Sequence, residues 1–236
     1  GRRPGRPARP AGPARRLGAP GRRVAGVEVT KLEHACQVVR SGNARLVLDP
    51  GEFTRPVEVT GVVAVVATHQ HPDHVTAEQV SRILARNPDA VVLGPPGVAT
   101  VLADAGITVD VVTDGDHREV GPFTLDFHGT RHNVIHASVP VVDNTGVLVD
   151  GRLFHPGDAY AVPGVPVEVL AAPVGAPWLK VAEMMDWIAA VAPRRAYPIH
   201  EATLSAVGFA MHTGRQREAL GDGELVVLQP GDVLQV

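Results

Sequence analysis

The chain has 236 residues, 22 basic and 25 acidic side chains and a formal charge of −3, and it is 44% apolar with 4% aromatic residues. Such a composition fits a globular protein with a core of Val, Ala, Leu and Ile. It excludes an intrachain disulfide or a thiolate zinc cluster, because Cys36 is the only cysteine, and no apolar run approaches the ~20 residues that a membrane-spanning helix needs.

Charge is unevenly spread. Residues 1–23 hold eight Arg and no acid, with too few apolar side chains to offset ordering entropy, so a disordered Arg/Pro/Gly-rich arm is expected there. The remainder carries 14 basic against 25 acidic residues, a balance of −11. An acidic body argues against a groove built to grip a phosphate backbone, leaving the arm as the only plausible tether for nucleic acid. No hydrophobic segment follows the arm as in a secretory signal, so a cytoplasmic location is the default expectation.

From Val24 the chain alternates short β-branched runs with helical segments, without a composition break, and 24–236 reads as one domain. Strands are predicted at Val27–Leu32, Gln37–Arg40 and Ala44–Asp49, with Ser41-Gly42-Asn43 as a turn. Cys36, beside them, reads as a small buried hydrophobe. Val62–Thr68 is continuously apolar, as in a strand covered on both faces. Helix Thr76–Arg86, strand Ala90–Leu93, helix Gly97–Ala105 and strands Thr108–Val112 and Phe123–His128 follow. Further strands are predicted at Val139–Val142, Gly146–Val149, Leu153–His155 and Val167–Ala171. Helix Val181–Val191 and strands Arg195–Ile199 and Glu224–Leu228 complete an α/β pattern of two packed sheets with helices outside.

The densest chemistry lies in Thr68-His69-Gln70-His71-Pro72-Asp73-His74, directly after a predicted buried strand. Three imidazoles and a carboxylate in a tight loop are the borderline ligands that suit zinc and, less selectively, iron or manganese. H-x-H on extended backbone puts two imidazoles on one side, and the bend at Pro72 lets Asp73 and His74 face a second ion. More ligands must come from later in the chain. His132, Asp158 and His200 each follow a predicted strand, where ligands collect in α/β sheets. His136 is the alternative to His132. His34 could approach from the first meander, although a structural role is the simpler reading, and His117, His155 and His212 read as structural.

In this order, Asp49-Pro50-Gly51, Thr68–His74, His132, Gly157-Asp158 and Pro198-Ile199-His200 resemble the metallo-β-lactamase-fold hydrolase superfamily, and within it the UlaG-like, lactonase-type branch. The likeness extends over about residues 24–230. It implies a four-layer αββα sandwich of two mixed β-sheets flanked by helices. It also implies two divalent ions per chain, most simply Zn2+, with Mn2+ or Fe2+ as alternatives. The first would be held by His69, His71 and His132, and the second by Asp73, His74 and His200. Asp158 would bridge them, and Asp49 would brace the ligand loop.

Such a pair implies a hydrolase in which a hydroxide bridging the ions attacks the substrate and Asp73 acts as the catalytic carboxylate. The chain offers no G-x-S-x-G elbow and no Cys–His pair as a competing nucleophile. A small ester, lactone or related metabolite is the leading substrate class, with Arg131, Trp178 and Lys180 as candidate contacts. The alternatives are a phosphodiesterase acting on nucleic acid or a phospholipid-like molecule, a redox use of iron, and a metal-stabilised binding protein without activity. The redox alternative fits poorly, because diiron electron carriers of this fold typically replace a histidine of the H-x-H-x-D-H run with an acid.

Overall fold

The computed structural model describes residues 26–236, so the predicted arm over 1–23 lies outside the described residues. In chain order the elements are β1 (Val27–Lys31), β2 (Gln37–Ser41), β3 (Ala44–Leu48), β4 (Val62–Val66), α1 (Ala77–Arg86), β5 (Val91–Gly94), α2 (Pro96–Ala103), β6 (Asp110–Val111), β7 (His117–Val120), β8 (Phe123–His128), β9 (Gly146–Val149), β10 (Leu153–His155), β11 (Val169–Pro173), α3 (Val181–Val191), β12 (Arg195–Ile199), α4 (Ala206–Ala219), β13 (Glu224–Leu225) and β14 (Val233–Gln235). They form two seven-stranded mixed sheets, ordered β14-β1-β2-β3-β4-β5-β6 and β13-β12-β11-β10-β9-β8-β7.

The period-two alternation of strand side chains explains the layers. On β4, Ala64 and Val66 enter the core between the sheets, while Val65 faces the outer layer with Val80 and Ile83 of α1 and Val98 and Leu102 of α2. On β11, Val169 and Ala171 enter the same central core, while Leu170 and Ala172 pack with Met184, Trp187 and Ile188 of α3. A strand buried on both faces has no polar side, which is why these segments read as continuous apolar runs. The result is the expected αββα sandwich. Helix α1 starts at Thr76, whose side chain accepts the Gln79 N–H at 3.2 Å.

Three elements were not visible in the sequence, and one predicted strand is absent. Helix α4 buries Thr213 and Gln216 rather than an apolar stripe, so it carries no helical period; Ser205 caps it and Gln216 hydrogen-bonds the carbonyls of Ala172 and Pro173. The short edge strands β7 and β14 are largely exposed. Val139–Val142 is not a strand, because β8 pairs directly with β9, from Leu125↔Val149 to His128↔Gly146. That register leaves no sheet edge for the intervening segment, and Pro140 lacks an amide donor. This segment instead loops out over one end of the sandwich, carrying exposed Val134, Ile135 and Val139.

Candidate metal centre

The site forms at the strand ends of both sheets. Beyond β4, the Ala67 N–H still bonds the Leu93 carbonyl at 2.9 Å, and the chain then turns away at Thr68. Asp49, fully buried with φ 46°, supports that turn: its carboxylate accepts the Thr68 N–H at 2.7 Å and the Thr68 hydroxyl at 2.8 Å. Gly51 lies so close to the Asp73 carbonyl that a Cβ there would collide with it, and the Glu52 N–H bonds the Pro72 carbonyl at 2.8 Å. From the second sheet, Gly157 (φ 65°) turns the chain after β10 and places Asp158. The buried Asn144 fixes that turn, accepting the Asp158 N–H at 2.9 Å and donating to the Pro156 carbonyl at 2.8 Å. His200 ends β12 with φ 65°.

Hydrogen bonds settle which nitrogen of most rings carries a proton. His74 Nδ1 lies 2.7 Å from Asp49 Oδ2, His132 Nδ1 2.5 Å from the Asn133 carbonyl and His200 Nδ1 2.5 Å from the Gly175 carbonyl. Those oxygens have no proton to give, so each Nδ1 must donate, and once the ring is neutral its Nε2 presents the lone pair. His69 Nδ1 faces the Thr68 hydroxyl at 3.1 Å, and that hydroxyl spends its proton on Asp49, so His69 follows the same rule. The Nε2 atoms of His74, His132 and His200, with Asp158 Oδ1, are buried without a hydrogen-bond partner. Buried polar atoms left unpaired are costly, and several lone pairs converging on one place is what a bound cation would satisfy.

The acceptors form two groups joined by a third, His69, His74 and Asp158. His69 Nε2 and His71 Nδ1 are 3.1 Å apart, and His132 joins them, with ring centroids at 5.0 and 4.7 Å from the two. Asp73, His74 and His200 form the second group: His200 Nε2 lies 3.3 Å and His74 Nε2 3.8 Å from Asp73 Oδ2. Asp158 lies between them, with Oδ2 at 3.4 Å from His132 Nε2 and 3.1 Å from His200 Nε2, and Oδ1 at 3.2 Å from His74 Nε2. A donor set of imidazoles and carboxylates suits borderline divalent ions.

The electrostatics of these side chains follow from burial and this convergence. Burial opposes a proton on His200, yet the Asp158 and Asp73 carboxylates outweigh it and lift the pKa to about 9. Burial opposes a charge on His74 too, but Asp158 and Asp49 raise it well above the ordinary value. At His69 burial, helped by the neighbouring His74, outweighs Asp158 and holds the pKa well below the ordinary value. Against the raising effect of burial, His74 and His200 hold Asp158 well below the carboxylate range. The site therefore stores protons on His74 and His200 that a cation would displace.

The other predicted residues divide. His136 is exposed and bonds only Ser138, so the structure brings His132 and not His136 to the cluster. Trp178 is buried, and its indole N–H donates to Asp158 Oδ2 at 2.7 Å. Its N–H thus braces a cluster carboxylate. Lys180 is exposed at the start of α3, 3.5 Å from Glu183, and Arg131 is exposed on the loop after β8. His155 donates to the Ala35 carbonyl and accepts the Gly157 N–H, while His212 bonds the Val174 carbonyl. The buried Cys36 thiol is pushed upward in pKa by desolvation and is no nucleophile.

Sequence reasoning passed over Asn144 and the pair Lys31–Glu201, and it noted His34 without assigning it a role at the site. His34 is fully buried, with Nε2 3.1 Å from Asp73 Oδ2. Lys31 is buried and lies 2.6 Å from Glu201. Its signal was present in the strand alternation, since Lys31 shares the inward face of β1 with Val27 and Val29. Asn144 had no comparable signal.

A family model described as a beta-lactamase superfamily domain matches residues 28–200. Protein Rv0786c of Mycobacterium tuberculosis is 39% identical over 198 residues, covering 81% of this chain and 92% of the relative. A UPF0173 metal-dependent hydrolase of Aeropyrum pernix is 30% identical over 148 residues, 55% of this chain and 60% of its own length. Among solved structures, Igni18, a metallo hydrolase from Ignicoccus hospitalis, superposes with a TM-score of 0.67 at 16% identity, covering 90% of this chain and 99% of that one.

Proposed function

This chain belongs to the beta-lactamase superfamily, and from that premise we propose that it is a metal-dependent hydrolase of a small ester, lactone or related metabolite. The supporting observation is the set of buried, partnerless acceptors, His74 Nε2, His132 Nε2, His200 Nε2 and Asp158 Oδ1, converging at the strand ends. In this reading His69, His71 and His132 would hold one ion and Asp73, His74 and His200 a second, with Asp158 placed between the two groups. Zn2+ suits the donor set best. Divalent ions held there would polarise the scissile oxygen and make water acidic enough to attack near neutral pH.

The protein's own groups supply the rest. Asp73 is the one carboxylate of the cluster with substantial exposure, at 22% of its side chain, so it can meet both water and substrate. Burial would raise its pKa, but His200 and His34 hold it well below the carboxylate range, which suits an acceptor that orients the attacking water. Trp178 donates its indole N–H to Asp158 Oδ2 at 2.7 Å and so restrains that carboxylate. A small apolar or neutral substrate agrees with exposed Phe53, packed edge-on against His34 at 5.1 Å, and with the exposed Val134 and Ile135 on the loop that carries His132. The lactonase-type branch that the motifs resemble points the same way.

A hydrolysis screen of lactones, carboxyl esters, β-lactams and phosphodiesters tests this reading, with the chelator-treated protein as control. Turnover of a lactone or ester that chelation abolishes and Zn2+ restores is expected. Turnover confined to phosphodiesters would overturn the substrate class, and turnover indifferent to chelation would overturn the mechanism.

A further inference from the structure

His34 lies at the turn between β1 and β2, strands of the sheet opposite the one that carries His200, and it ties the two halves of the site together. Its backbone carbonyl accepts the His200 N–H at 3.2 Å, its own N–H donates to Glu201 Oε1 at 3.1 Å, and its ring Nδ1 accepts the Ala202 N–H at 3.3 Å. Glu201 is in turn paired with the buried Lys31 at 2.6 Å. The ring lies 3.9 Å from that of His200, between centroids, and its Nε2 is 3.1 Å from Asp73 Oδ2.

Position alone would admit His34 to the second metal group with Asp73, His74 and His200. The hydrogen bonds assign it otherwise. A backbone N–H cannot give up its proton, so the bond from Ala202 leaves Nδ1 unprotonated, and the neutral ring must carry its proton on Nε2. His74, His132 and His200 have the opposite arrangement, with Nδ1 donating to an oxygen and Nε2 left bare. An Nε2 that carries a proton cannot ligate a cation, but it can donate to Asp73.

The backbone supports a demanding role. Among the described residues, five non-glycine residues have positive φ: His34 (57°), Asp49 (46°), Asp150, Ala192 and His200 (65°). Asp150 belongs to a hairpin turn and Ala192 caps α3. The other three meet at the cluster, in a conformation that L side chains rarely adopt.

We infer that His34 is a positioning residue: its Nε2–H fixes Asp73 Oδ2 in the orientation that completes the second metal site, while its other polar atoms tie that carboxylate to the strand end carrying His200. The inference rests on the dinuclear reading proposed above. It adds a hydrogen-bonded partner to a ligating carboxylate, an arrangement whose loss typically weakens metal affinity 10–100-fold.

The test compares His34→Phe, which keeps a planar ring at the same φ without a donor, with His34→Gln, whose side-chain amide can return an N–H near the position of Nε2. Zn2+ affinity is read by competition with a chromophoric chelator, and the ligand set by the visible absorption of the Co2+-loaded protein. Wild type is expected to take two ions. His34→Phe should bind the first normally and the second about 10–100-fold more weakly, with an unchanged Co2+ spectrum at saturation, and His34→Gln should recover most of the loss. Second-site affinity in His34→Phe equal to wild type overturns the inference. So does a Co2+ spectrum altered in both variants, which would make His34 a ligand. If His34→Phe does not fold by circular dichroism, His34→Gln decides: retained affinity and spectrum support the inference, and loss of either overturns it. A wild-type protein that takes one ion overturns the dinuclear reading itself, and the inference with it.

Discussion

Replacing Asp49 by Asn changes one atom of a buried group and should disturb the site in a defined way. The carboxylate accepts from Thr68 N–H and from His74 on different oxygens, at 2.7 Å each, and from the Thr68 hydroxyl at 2.8 Å. Asn tolerates the positive φ of 46° as well as Asp does, so the backbone is not the cause of any effect. An amide has only one acceptor oxygen. Turned towards the Thr68 N–H, it presents its NH2 to His74 Nδ1, which must then accept, and the His74 proton moves to Nε2 and blocks that lone pair. Second-site metal affinity should fall at least 10-fold, or about 1.4 kcal/mol or more. Turned the other way, the amide leaves the buried Thr68 N–H unpaired, at a cost of about 1–3 kcal/mol of stability. Chelator competition reads the first outcome and urea denaturation of the metal-free protein reads the second. Wild-type values in both would refute the tautomer reasoning.

Other outcomes follow from the same geometry. His132→Ala should lose the first ion, whereas exposed His136→Ala should leave metal content unchanged; elemental analysis separates them. Gly157→Ala should destabilise by roughly 2–4 kcal/mol in denaturant titration, because φ is 65° and a Cβ would meet Thr68 Oγ1 at 2.6 Å. The pH dependence of the metal-free protein has a definite sign. His200 has a folded-state pKa of about 9, above the ~6.5 of an unperturbed histidine. Its contribution is complete below about pH 6.5 and is lost as pH rises through about 9. The melting temperature of metal-free protein should therefore fall from about pH 7 to about pH 9.5, and this loss should vanish when Zn2+ is bound, since binding requires neutral His200. An identical pH response in both forms would contradict it.

The layers were legible because strands buried on both faces show as unbroken apolar runs, as at Val62–Val66 and Val169–Pro173. Helix α4 was not, since its inward face uses Thr213 and Gln216, whose burial is satisfied by hydrogen bonds rather than by apolar periodicity. Val139–Val142 misled for the reverse reason: β-branched residues make a strand only where a sheet edge is free. Of the cluster, residues 69–74 are contiguous and carry their chemistry openly in the sequence. His132, Asp158 and His200 could be nominated from strand-end placement and family order. His34 could not be assigned, because its partners Asp73 and His200 come from distant parts of the chain and its tautomer depends on a backbone N–H at Ala202. Trp178 was nominated as a substrate contact, and nothing local reveals that its indole N–H reaches Asp158.

Elemental analysis of the purified chain, paired with activity before and after chelation, bears most directly on the central claim. The convergent acceptors of both groups predict close to two divalent ions per chain, loss of hydrolysis when they are removed, and its return with Zn2+. A metal-free protein with undiminished hydrolytic activity would contradict the account.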